Sequence, residues 1–172
     1  MTARQIAYWC VFAAALTIYL VMVTWTLPGI ASAAGGLPAF DLRPGGYSPD
    51  EARAFLGALS DEGRTLYRGP QKILDLFYPA LLAIVLAGGA IRLFRPGPLR
   101  WIFLVLILVG MGADYTENAL IGALLDPASP QTDQAIRMAS RVTVVKSATT
   151  GLAMVGLLGA LVGAFIRRRR RA

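Results

Sequence analysis

Four long stretches of apolar residues alternate with more polar segments along the chain. They cover approximately residues 6–27, 73–93, 101–125 and 142–166. A helix needs about 20 mostly apolar residues to cross the hydrocarbon core of a bilayer, and each stretch is long enough. The pattern therefore predicts an all-α integral membrane protein, an up-down bundle of four transmembrane helices that forms one membrane domain over residues 1–172.

The first apolar stretch has a second interpretation, as a secretory signal peptide. The segment Ala31-Ser32-Ala33 resembles a signal-peptidase site, and Arg4 supplies a basic N-terminal end. The apolar run is longer than the roughly 7–15 residues typical of signal peptides, which favours a retained helix. Cleavage would leave three helices in the same orientation.

The connection after the first stretch is long enough to contain a helix of its own. Residues 48–51 combine an N-capping serine, a proline at the first helical position and a glutamate that completes a capping box. The apolar residues that follow at i, i+3, i+4 and i+7 are Ala52, Phe55, Leu56 and Leu59. We expect a short amphipathic helical region over approximately residues 48–67, lying over the bundle and ended by Gly69 and Pro70. Another short helix is expected over residues 134–140.

Composition agrees with a membrane protein and excludes several classes of function. Hydrophobic residues make up 56% of the chain and charged residues 16%, whereas soluble domains have about 45–50% and about 25%. The chain has no histidine, and its one cysteine is Cys10. These counts exclude histidine-ligated haem, an internal disulfide and dithiol redox chemistry. We expect no cofactor and no metal site.

Basic residues are concentrated on one side of the predicted bundle. That side carries Arg4, Arg92, Arg95, Arg100 and Arg167–Arg171, whereas all 10 acidic residues lie elsewhere. The positive-inside rule then places both termini in the cytoplasm, in a multi-pass protein of the cytoplasmic (inner) membrane. We expect the Arg167–Arg171 run to bind anionic lipid headgroups. This distribution accounts for the net charge of +7 without a nucleic-acid partner.

Polar and ionisable side chains inside the apolar stretches predict a site, because such residues are costly in a bilayer and usually face the interior of the bundle. They are Asp75, Tyr78, Asp114, Glu117, Asn118 and Lys146, and two arginines outside the stretches, Arg64 and Arg141, are added to them. Asp114, Glu117 and Asn118 share one helix face through their i, i+3, i+4 spacing. Pro79 removes the amide that would bond the Asp75 carbonyl. We expect the second, third and fourth stretches to turn these side chains toward one another.

Charge in this predicted site is unbalanced, which suggests roles for its members. Asp75, Asp114 and Glu117 face one lysine, so either a loop cation joins them, a carboxyl stays protonated or a ligand cation binds. Burial beside a like charge favours Glu117 and Asp114 as candidate catalytic acid–base groups. The candidate ligand-binding residues are Asp75, Tyr78, Asn118, Lys146, Arg64 and Arg141.

Two functions are compatible with this pattern. In the first, the protein binds or processes a lipid-like molecule, a lipophilic ligand whose headgroup lies in the polar site. In the second, the charged residues are interhelical clamps in a structural or accessory subunit that binds a partner membrane protein. The Gly159–Gly163 GxxxG pair indicates close packing, and we expect it within the bundle rather than in a homo-oligomer. A cavity of about 300 Å³ or more beside the charged residues would favour the first function. A transporter is less favoured, because the chain shows no inverted repeat.

Overall fold

The structure, a computed structural model, describes residues 1–169, and the regular elements of this part of the chain are all helical. In chain order, the helices are α1 at Ala3–Ala33, α2 at Pro49–Ala58, α3 at Asp61–Leu93, α4 at Pro98–Leu124 and α5 at Asp133–Arg169. Each of α1, α3, α4 and α5 is long and apolar enough to cross a membrane. This confirms the predicted bundle of four transmembrane helices with a short amphipathic helix in the first connection.

The four long helices pack against one another unequally. The most extensive interface lies between α4 and α5, α3 packs against both of them, and α1 packs against α3. Within residues 1–169, α1 has no comparable interface with α4 or α5. A lateral gap therefore separates α1 from α5.

Two helices run further than the sequence predicts. The expected break at Gly69 and Pro70 is wrong, because α3 continues through a π-helical turn at Tyr67–Gln71. A π turn interrupts the regular hydrogen-bond ladder, so it accommodates a proline that has no amide to donate. The short helix expected over residues 134–140 is instead the first part of α5. Neither glycine nor proline occurs between residues 131 and 146 to end that helix.

A glycine brings α4 and α5 close together. A Cβ atom at Gly156 of α5 would overlap the ring of Phe103 on α4. Gly159 is exposed instead, and nothing lies within 4 Å of its Cβ position. The expectation that the Gly159–Gly163 pair packs within the bundle is therefore wrong, since Gly156, about one turn earlier, is the residue that faces α4.

The connection between α1 and α3 closes one end of the bundle. We call residues 34–60 the outer cover and the end of the bundle beneath it the outer end. Phe40 and Phe55 of the cover are fully buried, with ring centroids 4.8 Å apart. The Arg43 guanidinium lies 5.8 and 5.6 Å from these two centroids, a cation–π arrangement. Ile136 of α5 belongs to the same buried cluster, so the cover packs directly on the bundle.

The first turn of α2 is held by a capping box. The Ser48 hydroxyl oxygen accepts from the Glu51 amide at 3.2 Å, and a Glu51 carboxylate oxygen accepts from the Ser48 amide at 2.7 Å. These bonds, first among them the one from the Ser48 amide, lower the pKa of the Glu51 carboxyl. The stabilisation that Glu51 gives α2 is therefore present near neutral pH and is lost as falling pH protonates it.

The substitution Ser48→Ala is expected to destabilise α2 by about 1 kcal/mol, because an amide of the first turn loses its acceptor. Amide hydrogen exchange, corrected for intrinsic rates, should show lower protection in residues 49–54 of this variant. Ser32→Ala, at an exposed serine, is the control. Equal protection of α2 in the two variants would contradict the expectation.

Candidate functional site

Lys146 of α5 is the centre of a cluster of carboxylates. Its Nζ donates to Glu117 and lies 3.3 Å from an Asp114 oxygen and 3.7 Å from an Asp41 oxygen. The Lys146 side chain is 18% exposed, and those of Asp41, Asp114 and Glu117 are 7%, 12% and 0% exposed. One largely buried ammonium thus joins α5 to α4 and to the outer cover. Removing it would leave buried carboxylates without a counter-charge.

The predicted polar face of α4 points toward α5. Glu117 is fully buried, and its two carboxylate oxygens accept from the Thr143 hydroxyl and from the Lys146 ammonium. Asp114 lies one turn away on the same face of α4 and approaches the same ammonium. The i, i+3 spacing therefore sets two carboxylates against one lysine, as the sequence predicts.

A proline in α3 deprives one backbone carbonyl of its usual amide donor, and a side chain of α4 donates to that carbonyl instead. Pro79 has no amide to donate to the Asp75 carbonyl four residues earlier. The Asn118 side-chain amide donates to that carbonyl and to an Asp114 oxygen, at 3.4 Å in each case. A side chain of the neighbouring helix thus satisfies the freed carbonyl and fixes the register of α3 against α4.

A series of hydrogen bonds between α1 and α3 ends at the Asp75 carboxylate. Its Oδ1 accepts from the Gln71 amide nitrogen at 2.9 Å, and the Gln71 amide oxygen accepts from the Thr26 hydroxyl. All three side chains are buried. Thr26 and Gln71 lie in the π-helical turns Met22–Thr26 of α1 and Tyr67–Gln71 of α3, which pack against each other. Such turns are frequent at functional sites, and here they connect α1 to the Asp75 carboxylate.

Sequence reasoning missed two residues of the outer cover that reach this region. Asp41, in a 3-10 turn at Phe40–Leu42, accepts from the Tyr67 hydroxyl and approaches Lys146. Tyr47 is buried, and its hydroxyl has no hydrogen-bond partner among the described residues. Burial raises the pKa of the Tyr47 phenol, so it stays protonated. The one signal for Asp41 is an acid beside an aromatic residue in a Gly-, Ala- and Pro-rich segment, which is too weak to predict a contact.

Two predicted site residues lie away from the cluster. Arg64 donates to the backbone carbonyls of Leu125 and Leu56, at 2.9 and 3.3 Å, and so ties α3 to the ends of α4 and α2. Arg141 is exposed and forms no side-chain hydrogen bond or ion pair with the part of the chain described. It precedes Lys146 by five residues, which turns it about 140° around α5. Neither arginine neutralises the carboxylates.

The C-terminal arginines are described in part. Arg167, Arg168 and Arg169 form the exposed end of α5, whereas Arg170 and Arg171 lie outside the described residues. The binding of anionic headgroups by this run stays a prediction.

A cavity of about 730 Å³ lies between α1 and α5, beside the cluster. The polar and charged side chains at its outer end include Asp41, Asp75, Tyr78, Asp114 and Lys146. The apolar side chains along its walls include Phe12, Leu16, Leu82, Val85 and Met154. The volume falls within the roughly 300–1,000 Å³ of typical ligand sites. The charged cluster therefore has both direct ion pairs and an open space beside them.

Asp75 also lines a second cavity, of about 520 Å³, between α3 and α4. Two exposed cations one turn apart on α3, Arg68 and Lys72, line this cavity as well. The 730 Å³ cavity lies on the side of α3 that faces α1 and α5. Asp75 and its neighbours therefore lie between the two cavities.

At its polar end, the larger cavity presents carboxylates, one ammonium and tyrosine side chains to a ligand. Apolar walls lie beyond them. Within residues 1–169, no group of three or more carboxylate or thiol side chains has the geometry to hold a metal ion. Comparison of the chain with family models, with curated proteins and with solved structures finds no match.

Proposed function

We propose that the protein binds an amphiphilic, lipid-like molecule from the membrane. Its headgroup would occupy the polar end of the 730 Å³ cavity, at Asp75, Asp114 and Lys146, and its hydrocarbon tail would lie between α1 and α5. The observation that carries the proposal is this cavity, because it joins buried charged side chains to an apolar groove. Leu16 and Met154 in the groove are 45% and 49% exposed, which fits an opening toward lipid.

The alternative, a structural subunit whose charges are interhelical clamps, accounts for the ion pairs but not for the cavity. Protein interiors are packed as densely as organic crystals, and charges that serve only to fix helix register need no space beside them. Asp75 in addition has no cationic partner among the described residues, as a clamp would require. We therefore propose that the ion pairs position the charged side chains of a binding site.

Glu117 and Asp114 have different roles in this proposal. Glu117 is fully buried, is bonded to Lys146 and Thr143, and does not line the cavity, so it acts as a positioning residue for the lysine. Asp114 lines the cavity and would contact the headgroup. Of the two acid–base candidates, Asp114 is therefore the one placed to exchange a proton with a bound molecule.

The orientation predicted from the basic residues would place the site in the outer leaflet. With both termini in the cytoplasm, the outer cover faces the opposite side of the membrane. Asp114 precedes the end of α4 at Leu124 by ten residues, about 15 Å along the helix axis. The headgroup would therefore lie below the membrane surface, and the molecule would enter sideways between α1 and α5.

Photolabelling of the full chain in lipid nanodiscs tests the proposal. The probes are three amphiphiles with the same C16 chain, which carries a diazirine, and with an ammonium, a glycerol ester or a phosphate headgroup. At least one probe should label α1 and α5 at residues that line the cavity, such as Leu16 and Met154. Gly151 lines the cavity with nothing within 4 Å of its Cβ position, so Gly151→Leu should fill the space and reduce this labelling severalfold.

Gly159→Leu is the matched control, because Gly159 lies on the same helix with an equally open Cβ position but does not line the cavity. Labelling of the control should equal that of the unchanged protein. Labelling that is insensitive to Gly151→Leu, or labelling spread evenly over the lipid-facing surface with every probe, would refute the proposed binding site.

A further inference from the structure

Asp75 is the carboxylate of the cavity that lacks a counter-charge. Lys146 is shared by Asp41, Asp114 and Glu117, all within 4 Å of its Nζ. Asp75 is 8% exposed and accepts one hydrogen bond, at Oδ1, from an uncharged amide. Its Oδ2 has no hydrogen-bond or ionic partner among residues 1–169, and the residue lines the cavity. Asp75, a residue of the cavity wall, therefore has one carboxylate oxygen that residues 1–169 leave unpaired.

The other cations around the site are engaged elsewhere or point away. Arg43 donates to the Pro38 carbonyl and lies over aromatic rings of the outer cover. Arg64 is bonded to backbone carbonyls. Arg68 and Lys72 are exposed and line the second cavity, which Asp75 also lines, but neither forms an ion pair with Asp75. Arg141 is exposed on α5. On the side of the 730 Å³ cavity, the one cation in the wall is Lys146, which is already paired with three other carboxylates, so a ligand there could supply the counter-charge of Asp75.

Two tyrosine rings stand beside this carboxylate in the cavity wall. Tyr78 follows Asp75 by three residues on α3, so the two side chains share a helix face. Its ring is stacked on that of Tyr19 of α1, with centroids 6.2 Å apart and an interplanar angle of 24°. Both rings line the same cavity. The faces of tyrosine rings attract ammonium groups, including quaternary ones. The stacked ring pair therefore indicates a cationic ligand independently of the acidic residues.

We infer that the bound amphiphile carries a cationic, ammonium-type headgroup, which Asp75 holds together with the Tyr19 and Tyr78 rings. The inference rests on the proposed function and specifies the chemical class of its ligand. A positive headgroup would give Asp75 the counter-charge that the described residues do not supply. An anionic headgroup would meet Asp41, Asp75 and Asp114 in the same wall, which is unfavourable.

Competition among headgroups tests this inference. The purified chain of 172 residues, in a neutral detergent, is labelled with the diazirine probe that bears the glycerol ester. Unlabelled C16 amphiphiles with ammonium, glycerol or phosphate headgroups then compete with this probe. The ammonium compound should displace the probe at about tenfold or more lower concentration than the glycerol compound. Asp75→Asn should remove this preference, because the amide keeps the shape and loses the charge. Asp61→Asn, at an exposed acid of α3, should retain it.

The outcomes separate the inference from the proposed function. If none of the three unlabelled compounds displaced the probe from the cavity, the proposed function would be overturned together with the inference. Displacement by all three compounds at equal concentration, or best by the phosphate compound, would overturn the ammonium inference alone. An ammonium preference that survives in Asp75→Asn would overturn the assignment to Asp75. The ranking in the unchanged protein decides the charge of the ligand even if the variant fails to fold.

Discussion

Lys146→Met is expected to destabilise the protein by about 3–5 kcal/mol, the usual effect of removing one partner from a buried charge network. Methionine matches the length of the lysine stem but leaves Asp41, Asp114 and Glu117 without their shared ammonium. The free energy of unfolding in mixed micelles, from titration with a denaturing detergent, measures the loss. The loss should be large because these side chains are largely buried.

Lys72→Met is the matched control, since the chain has two lysines and Lys72 is exposed. Its effect should stay within about 0.5 kcal/mol. Combining Lys146→Met with Glu117→Gln should cost less than the sum of the single variants, because one stranded carboxylate is removed as well. Equal stability of the two lysine variants would contradict a central role for Lys146.

Phe55→Ala is expected to destabilise the outer cover by about 3–5 kcal/mol, as for other buried phenylalanines. Phe55 is fully buried, and its ring packs edge-on against Phe40 and Tyr67, at 4.8 and 6.4 Å between centroids. The variant would leave a cavity and remove one ring from beneath Arg43. Hydrogen exchange of α2 and unfolding of the whole protein in mixed micelles measure the effect.

Phe77→Ala provides the comparison for the cover, because Phe77 is 54% exposed on the membrane-spanning part of α3. Its truncation should leave both measurements nearly unchanged. If Phe55→Ala behaved like Phe77→Ala, the outer cover would not be the packed layer described. The cover carries Asp41, so loosening it should also weaken the contact of that acid with Lys146.

The parts of the site that depend on local spacing could be predicted from the sequence. One helix face carries Asp114, Glu117 and Asn118 because residues three and four apart are neighbours on any helix. Pro79 had to free the Asp75 carbonyl because proline has no amide. Long apolar runs required spanning helices, and a lysine in such a run required acidic neighbours.

The parts that depend on tertiary packing could not be predicted. Asp41 meets Lys146 across more than a hundred residues of chain, so no spacing rule connects them. The π-helical turns that bring Thr26 to Gln71 have no sequence pattern that distinguishes them from ordinary helix. The gap between α1 and α5 depends on which helices pack against one another, and hydrophobic periodicity does not determine this. The depth of Arg141 along α5 predicts a place beside the acids, but its angle around the helix turns it away from Lys146.

The most direct test of the central claim is a distance measurement at Lys146 in a lipid bilayer. In a Lys72→Arg background, ¹⁵N-lysine labelling marks Lys146 alone, since the chain has no other lysine. Solid-state NMR recoupling between its Nζ and ¹³C-labelled aspartate and glutamate carboxyls should show strong dephasing, as expected for direct ion pairs with Glu117 and Asp114. A Lys146 signal without dephasing, in rapid exchange with water, would contradict the convergence of these charges inside the membrane.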